Sequence, residues 1–279
     1  MMSKKKKIPF GDRIAAFVSW FGRLLYPPQC VACDEVLIRD SELCSVCIEH
    51  WKSLRRSRCP VCQKTARACT CFLFHTTNTD AIGERKLSSL AFYTKFNPEE
   101  PDPRNYMLMR LVQNVKTSPD RSTARFCARE LSHDIMKLLL TNGFSPEQWK
   151  ITYPPRSKKR AKFYGFDHGR DLAQMTSEYT GIAFEETIIN SGKTAQKHLN
   201  SLERKQNADK SYSLKPGCTP SGNYLIVDDI VTTGATVSAA ASILKNNGAD
   251  LVYPVAIART KNKKRKLRRL LNRPWFKMK

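Results

Sequence analysis

The stretch Tyr224-Leu-Ile-Val-Asp-Asp-Ile-Val-Thr-Thr-Gly-Ala-Thr236 decides the reading of this chain. Tyr224 to Val227 is a continuous apolar run, as expected of a central strand buried on both faces of a parallel sheet. Two acids follow, then a Thr/Gly loop, then a helix that puts Val237, Ala240, Ala241 and Leu244 on one face and stops at Asn246-Asn247-Gly248. A second strand is expected from Leu251 to Ala258, which completes a β-α-β unit. The loop therefore lies at the carboxyl end of a strand and at a helix N-terminus, where open α/β sheets bind ligands and backbone N–H groups favour phosphate. A phosphate on Thr232 to Thr236 would return an attached sugar over Asp228 and Asp229, which can accept hydrogen bonds from vicinal hydroxyls. That combination asks for a ribose 5-phosphate. A solvated acidic turn would explain the acids, but not Thr232, Thr233, Gly234, Ala235 and Thr236 directly after them.

Upstream of this unit, strands alternate with helices. Leu87 to Phe96 reads as a strand, ended by the Pro-rich 98–103 segment, and Tyr106 to about Lys116 reads as a helix. Ser118-Pro119 offers an N-cap and a first-turn proline for a helix carrying Ala124, Ala128, Leu131, Ile135 and Leu138, closed by Gly143. Ile151 to Tyr153 is a strand, Pro154 to Tyr164 a basic loop, and about Asp167 to Tyr179 a helix. This alternation predicts an α/β fold with a parallel sheet.

Eight of the ten cysteines fall between Cys30 and Cys71. They are spaced Cys30-x-x-Cys33, ten residues, Cys44-x-x-Cys47, then Cys59-x-x-Cys62, six residues, Cys69-x-Cys71. Thiolates two or three residues apart sit on a tight knuckle that aims both sulfurs at one ion, and two knuckles complete a tetrahedral zinc site. Eight sulfurs suffice for two structural Zn²⁺ ions, closed sites that fold the module and catalyse nothing. Disulfides need an oxidising compartment that nothing in the chain indicates, and redox pairs come as a single Cys-x-x-Cys beside a strand and helix. Spacing leaves open whether Cys30, Cys33, Cys44 and Cys47 serve one ion and the other four the second, or whether the knuckles cross-brace. Cys127 and Cys218 stand apart and read as ordinary buried or bystander thiols.

The chain has 279 residues and a formal charge of +23. Four lysines at 4–7 and eleven basic residues between Arg259 and Lys279, with no acid among them, supply most of it. Such ends favour polyanions or simply solubility. With 41% hydrophobic and 26% charged residues the composition is globular, and no apolar run reaches the ~18 residues of a membrane span. Lys4 to Lys7 ahead of 14–25 resembles a signal peptide, but Asp12, Arg13 and Arg23 interrupt the apolar stretch. A short amphipathic helix ended by Pro27-Pro28, in a cytoplasmic protein, is expected instead. The expected division is 1–28 basic start and helix, 29–75 double zinc ribbon, 76–260 sheet domain and 261–279 basic tail.

The Tyr224 to Thr236 stretch closely resembles the phosphoribosyl-pyrophosphate (PRPP) signature of type I phosphoribosyltransferases. With the cysteine block in front, the chain resembles the ComF family over residues 24 to 258. Further matches are Leu25-Tyr-Pro-Pro-Gln-Cys30, Tyr153-Pro-Pro-Arg156 with Lys159 and Gly165-Phe166, and Gln196, Leu199, Arg204 and Asn207. The resemblance implies a type I phosphoribosyltransferase-like parallel sheet, with a small N-terminal zinc-ribbon module in place of the usual base-covering hood. It also implies PRPP bound with Mg²⁺, and a role in natural transformation, with single-stranded DNA and a competence-machinery protein as partners. By this resemblance Asp228 and Asp229 contact the ribose, Thr232, Thr233, Gly234, Ala235 and Thr236 hold the 5-phosphate, and Pro155, Arg156 and Lys116 face pyrophosphate. Mg²⁺ is held mostly by ligand oxygens and water.

Where the family has Arg-Gly-Phe-Asn-Gln, this chain has Tyr164-Gly-Phe-Asp-His168, losing an arginine and two amides. Lys158, Lys159, Arg160 and Lys162 nearby are expected to compensate, and His168 is expected at the surface or a helix cap. Ser191-Gly-Lys-Thr194 lacks the glycine spacing and context of a P-loop, and Gly165 to Gly169 lacks the dinucleotide pattern. An enzymatic alternative is phosphoribosyl transfer to a nucleobase or amine in salvage, although no general base is legible. A third reading is a zinc-containing nucleic-acid module whose sugar-phosphate site is vestigial or regulatory.

Overall fold

The computed structural model describes residues 25, 27–38, 41–60, 62–69, 88–94, 101–190 and 211–260. The Lys4 to Lys7 run, the helix expected over 14–25 except Leu25, Cys71, the Gln196 to Asn207 matches and the 261–279 tail lie outside them.

Strands β1 (Ser88–Tyr93), β2 (Trp149–Thr152), β3 (Ala183–Phe184), β6 (Gly222–Val231) and β7 (Ala249–Thr260) form one parallel sheet in the order β1-β7-β6-β2-β3. Strands β4 (Ile188–Asn190) and β5 (Tyr212–Leu214) pair separately and antiparallel. The helices are α1 (Ser45–Arg56), α2 (Pro103–Thr117), α3 (Ser122–Thr141), α4 (Lys158–Tyr164), α5 (His168–Thr180) and α6 (Ala235–Asn246).

The apolar run of β6 is central, as its composition requires. Leu225 and Val227 belong to the core under α2, α3 and α5, with Leu108, Leu111, Leu131, Ile135 and Leu172. Tyr224 and Ile226 belong to the opposite core, with Val237, Ala240, Ala241 and Leu244 of α6. Strand alternation thus sends neighbouring residues into two cores, giving a helix-sheet-helix sandwich.

Three local expectations are corrected. First, β6 runs on through both acids to Val231, because the long β7 keeps pairing with it: Asp228 opposes Ala256 and Ile230 opposes Ala258. Second, Ser118 does not open α3. Its N–H closes α2 on the Asn114 carbonyl, and α3 begins at Ser122, whose backbone N–H donates to Asp120 Oδ1 at 3.1 Å. Ser118 is already spent on closing α2, so the next helix opens four residues later, after Arg121. Third, 158–164 is helical within the expected basic loop and ends at Gly165 with φ 77°, the left-handed C-terminal position that glycine takes without strain.

The cysteine module packs against α2 and α3. Trp51 of α1 meets Phe126 edge-on at 5.5 Å and its Nε1 donates to Glu130 at 2.9 Å. Arg55 makes two 2.7 Å bonds to Asp134, and Arg67 reaches the same carboxylate at 3.3 Å. Asn114 and Thr123 both donate to the Val31 carbonyl, while Arg110 pairs with Asp34 and Arg129 with Glu42.

Candidate functional site

The carboxyl end of β6 brings the expected residues to one place. Asp228 and the 230–237 stretch line a single pocket. Gly234 sits at the N-cap of α6 with φ 79°, a left-handed turn that lets the loop bend directly into the helix. The Ser238 N–H already bonds to the Gly234 carbonyl, so the N–H groups of Ala235, Thr236 and Val237 belong to the first turn, which has no intrahelical acceptors. Thr233 Oγ1 accepts from Ala235 N at 3.4 Å, a long contact that a better acceptor would displace.

The two acids differ. Asp229 is 4% exposed. Its Oδ2 accepts from His168 Nε2 at 2.7 Å and lies 3.1 Å from Lys116 Nζ. Burial opposes its ionisation, but the bond from His168 and the charge of Lys116 outweigh it and hold its carboxyl below the ordinary range. Asp228 keeps some exposure at the pocket yet is crowded by protein, and burial, with the Asp229 charge behind it, pushes it up to about 7. One acid is thus fully committed to internal cations, while the other faces the pocket.

Arg156 and Lys116, both expected on the pyrophosphate side, are in contact. Arg156 Nη2 donates to the Lys116 carbonyl at 3.0 Å, and its guanidinium lies over Tyr164 at 4.6 Å and Phe166 at 5.9 Å. Burial lowers its pKa, and its buried Nη1 has no hydrogen-bond partner, leaving a donor for an anion. Pro155 is buried and its carbonyl accepts from Asn190.

Three residues were missed by sequence reasoning. His168, expected at the surface or a cap, is largely buried and bonded to Asp229; its place in the Gly-Phe-x-x segment was the available signal. Asp167, just before it, accepts from Arg156 N at 2.9 Å and caps α5 through Gly169 N at 3.1 Å. Tyr212 of β5 reaches Thr236 and Asn190, and burial beside Asp228 raises its pKa to about 12. Nothing in its own sequence neighbourhood marked it.

The sulfurs of Cys30, Cys33, Cys44 and Cys47 lie within 4.8 Å of one another, and so do those of Cys59, Cys62 and Cys69. The knuckles therefore pair sequentially and do not cross-brace. Cys33 and Cys44 sulfurs are 3.7 Å apart, against about 3.8 Å for the edge of a tetrahedron with Zn–S of about 2.3 Å. The donor set and spacing fit structural zinc. Cys71, expected as the eighth ligand, lies outside the described residues. Arg259, 1% exposed at the end of β7, bonds to the Ala66 carbonyl at 2.6 Å. Burial disfavours its charge, while the sulfurs of Cys69, Cys59 and Cys62 favour it. A cation there complements the negative charge of thiolates gathered around a divalent ion. Of the remaining cysteines, Cys127 is wholly buried with its thiol pushed up by burial, and Cys218 bonds to the Glu186 carbonyl at 3.6 Å.

A parallel α/β sheet with this strand-end loop, fronted by paired cysteine knuckles, defines an α/β protein with a zinc-ribbon module. The double zinc ribbon domain model matches residues 21–72. The DNA utilization protein YhgH of Salmonella typhi is 31% identical over 155 residues, 55% of this chain and 67% of that protein. Competence protein ComFC of Streptococcus pneumoniae is 24% identical over 220 residues, 79% of this chain and 89% of that one. The chain belongs to the ComF family. Glutamine PRPP amidotransferase from B. subtilis overlays at a TM-score of 0.34 with 16% identity, covering 52% of this chain and 30% of that one, too loosely to carry residue roles. Among the described residues, no helix is long and apolar enough to cross a membrane.

Proposed function

We propose that the chain binds PRPP with Mg²⁺ at the end of β6 and, in the cytoplasm, handles internalised single-stranded DNA during natural transformation. The observation that carries the PRPP reading is the acidic pair directly ahead of the Gly234 turn and the first turn of α6. Asp228 and Asp229 serve the ribose hydroxyls, and Thr232 to Thr236 hold the 5-phosphate. Arg156, with its free Nη1, and Lys116 face pyrophosphate, beside Pro155. Acidic oxygens and phosphate suit Mg²⁺, which supplies charge neutralisation when bound. The ribose must compete with His168 and Lys116 for Asp229, so those two residues set how readily the acid is released to a ligand. The names of YhgH and ComFC support the DNA part, as does the net charge of +23. Two structural zinc ions hold the ribbon and take no part in chemistry.

Calorimetric titration with PRPP and Mg²⁺ tests the reading. Wild type should bind, and Asp228→Ala with Asp229→Ala should lose at least tenfold in affinity, on the order of 1.4 kcal/mol. No binding by wild type overturns the PRPP site. Nucleotide and pyrophosphate formed from PRPP and a panel of bases would replace binding by transfer as the function.

A further inference from the structure

Helix α4 carries Lys-Lys-Arg-Ala-Lys-Phe-Tyr and turns most of it outward. Phe163 is 80% exposed and meets Tyr164 edge-on, with ring centroids 5.0 Å apart. Lys158, Lys159, Arg160 and Lys162 are all exposed, and none pairs with an acid among the described residues. These four cations were expected to compensate on the pyrophosphate side, and the charge of Arg160 does reach Arg156. The helix leaves a large aromatic face in water, surrounded by one sign of charge.

Charge alone would serve any polyanion. A phosphorylated sugar would use the cations but has no partner for an exposed phenyl ring. Duplex nucleic acid would use the cations too, but it keeps its base faces stacked inside. Unpaired bases on a phosphate backbone match both features, since each base offers a face to stack and each phosphate a charge to neutralise. The rings also lead inward: Tyr164 lies under the Arg156 guanidinium, which bonds to the Lys116 carbonyl.

We infer that α4 is a docking platform for single-stranded nucleic acid, with Phe163 stacking on a base and Lys158, Lys159, Arg160 and Lys162 holding the backbone. The inference rests on the nucleic-acid part of the function proposed above and places a contact within the folded body, in addition to any made by the 261–279 tail.

The test uses the full chain and fluorescence anisotropy with labelled oligo(dT) of about 20 nucleotides, alongside a duplex of equal length. Phe163→Ala should weaken oligo(dT) binding about tenfold and leave duplex binding unchanged, while Phe163→Trp keeps wild-type affinity. Lys159→Ala with Lys162→Ala should reduce the slope of log affinity against log salt by about 1.4, at ~0.7 per neutralised single-strand phosphate. Because these side chains are exposed, unchanged melting temperatures are expected and confirm that folding is not what is read. Wild-type affinity in Phe163→Ala, or equal losses on oligo(dT) and duplex, overturns the platform alone. A changed oligomeric state in Phe163→Ala with unchanged oligo(dT) affinity reassigns α4 to protein contact. No oligo(dT) binding by wild type removes the nucleic-acid function itself, and PRPP titration of the same samples shows whether the sugar-phosphate site stands without it.

Discussion

Replacing Asp134 with alanine should loosen the zinc ribbon from the sheet domain. Asp134 is 5% exposed on α3 and accepts from Arg55 twice at 2.7 Å and from Arg67 at 3.3 Å. Arg55 also donates to the Leu90 carbonyl of β1 at 3.3 Å, so the carboxylate orients a guanidinium that bridges ribbon and sheet. Removing one partner of a fully buried ion pair costs about 3 to 5 kcal/mol. Here the arginine side chains keep 25% and 36% of their exposure, so water recovers part of their solvation; about 2 to 3 kcal/mol is expected. At roughly 2 to 4 °C per kcal/mol for a chain of this size, the melting temperature should fall by about 5 to 10 °C. The assay is thermal unfolding of wild type, Asp134→Ala, Arg55→Ala and the double variant, with zinc release followed by a chromogenic chelator in the same scan. The double variant should lose less than the sum of the singles, with a coupling of about 2 kcal/mol. Additive losses, or a loss below about 0.5 kcal/mol in Asp134→Ala, would refute the clamp.

Two further predictions concern metal and pH. Metal analysis should return about two zinc per chain, and Cys30→Ser and Cys59→Ser should each remove about one; one zinc in wild type would leave the Cys59, Cys62 and Cys69 cluster without an ion. Asp228 titrates at about 7 in the folded protein, against ~3.9 when unfolded. Folding therefore favours its protonated form, and that stability is complete below pH ~3.9 and is lost as pH rises through about 7. Asp228→Asn should accordingly melt higher than wild type at pH ~8 and match it near pH ~4, bounded by ~1.4 kcal/mol per unit of pKa separation. A constant difference across that range would show that burial does not raise the acid.

Much of the architecture was legible from local patterns. The four apolar residues of β6, the helical face of α6 and the cysteine knuckles at 30–33, 44–47 and 59–62 each carry their signal within a few residues, and each forms where expected. Boundaries failed where a partner decided them: β6 continues to Val231 because β7 pairs with it, and α3 starts late because Ser118 is already used by α2. In the candidate site, Asp228, Asp229 and the Thr232 to Thr236 loop were legible as one contiguous motif. His168 and Tyr212 were not, since their roles depend on neighbours 61 residues away in one case and on a separate two-stranded sheet in the other.

Residue types and short-range spacing made the local groups legible: paired-cysteine knuckles, a Thr/Gly turn at a helix start, and two acids placed ahead of it. Tertiary structure decided what those groups face. It paired the knuckles in sequence, committed Asp229 to His168 and Lys116 while leaving Asp228 at the pocket, and fixed the ribbon through Arg55 and Asp134. It also turned the basic 158–164 segment into a helix that exposes Phe163. Spacing along a chain specifies which atoms can share a knuckle or a helical turn, whereas burial and charge pairing depend on surfaces that exist only once distant segments have packed.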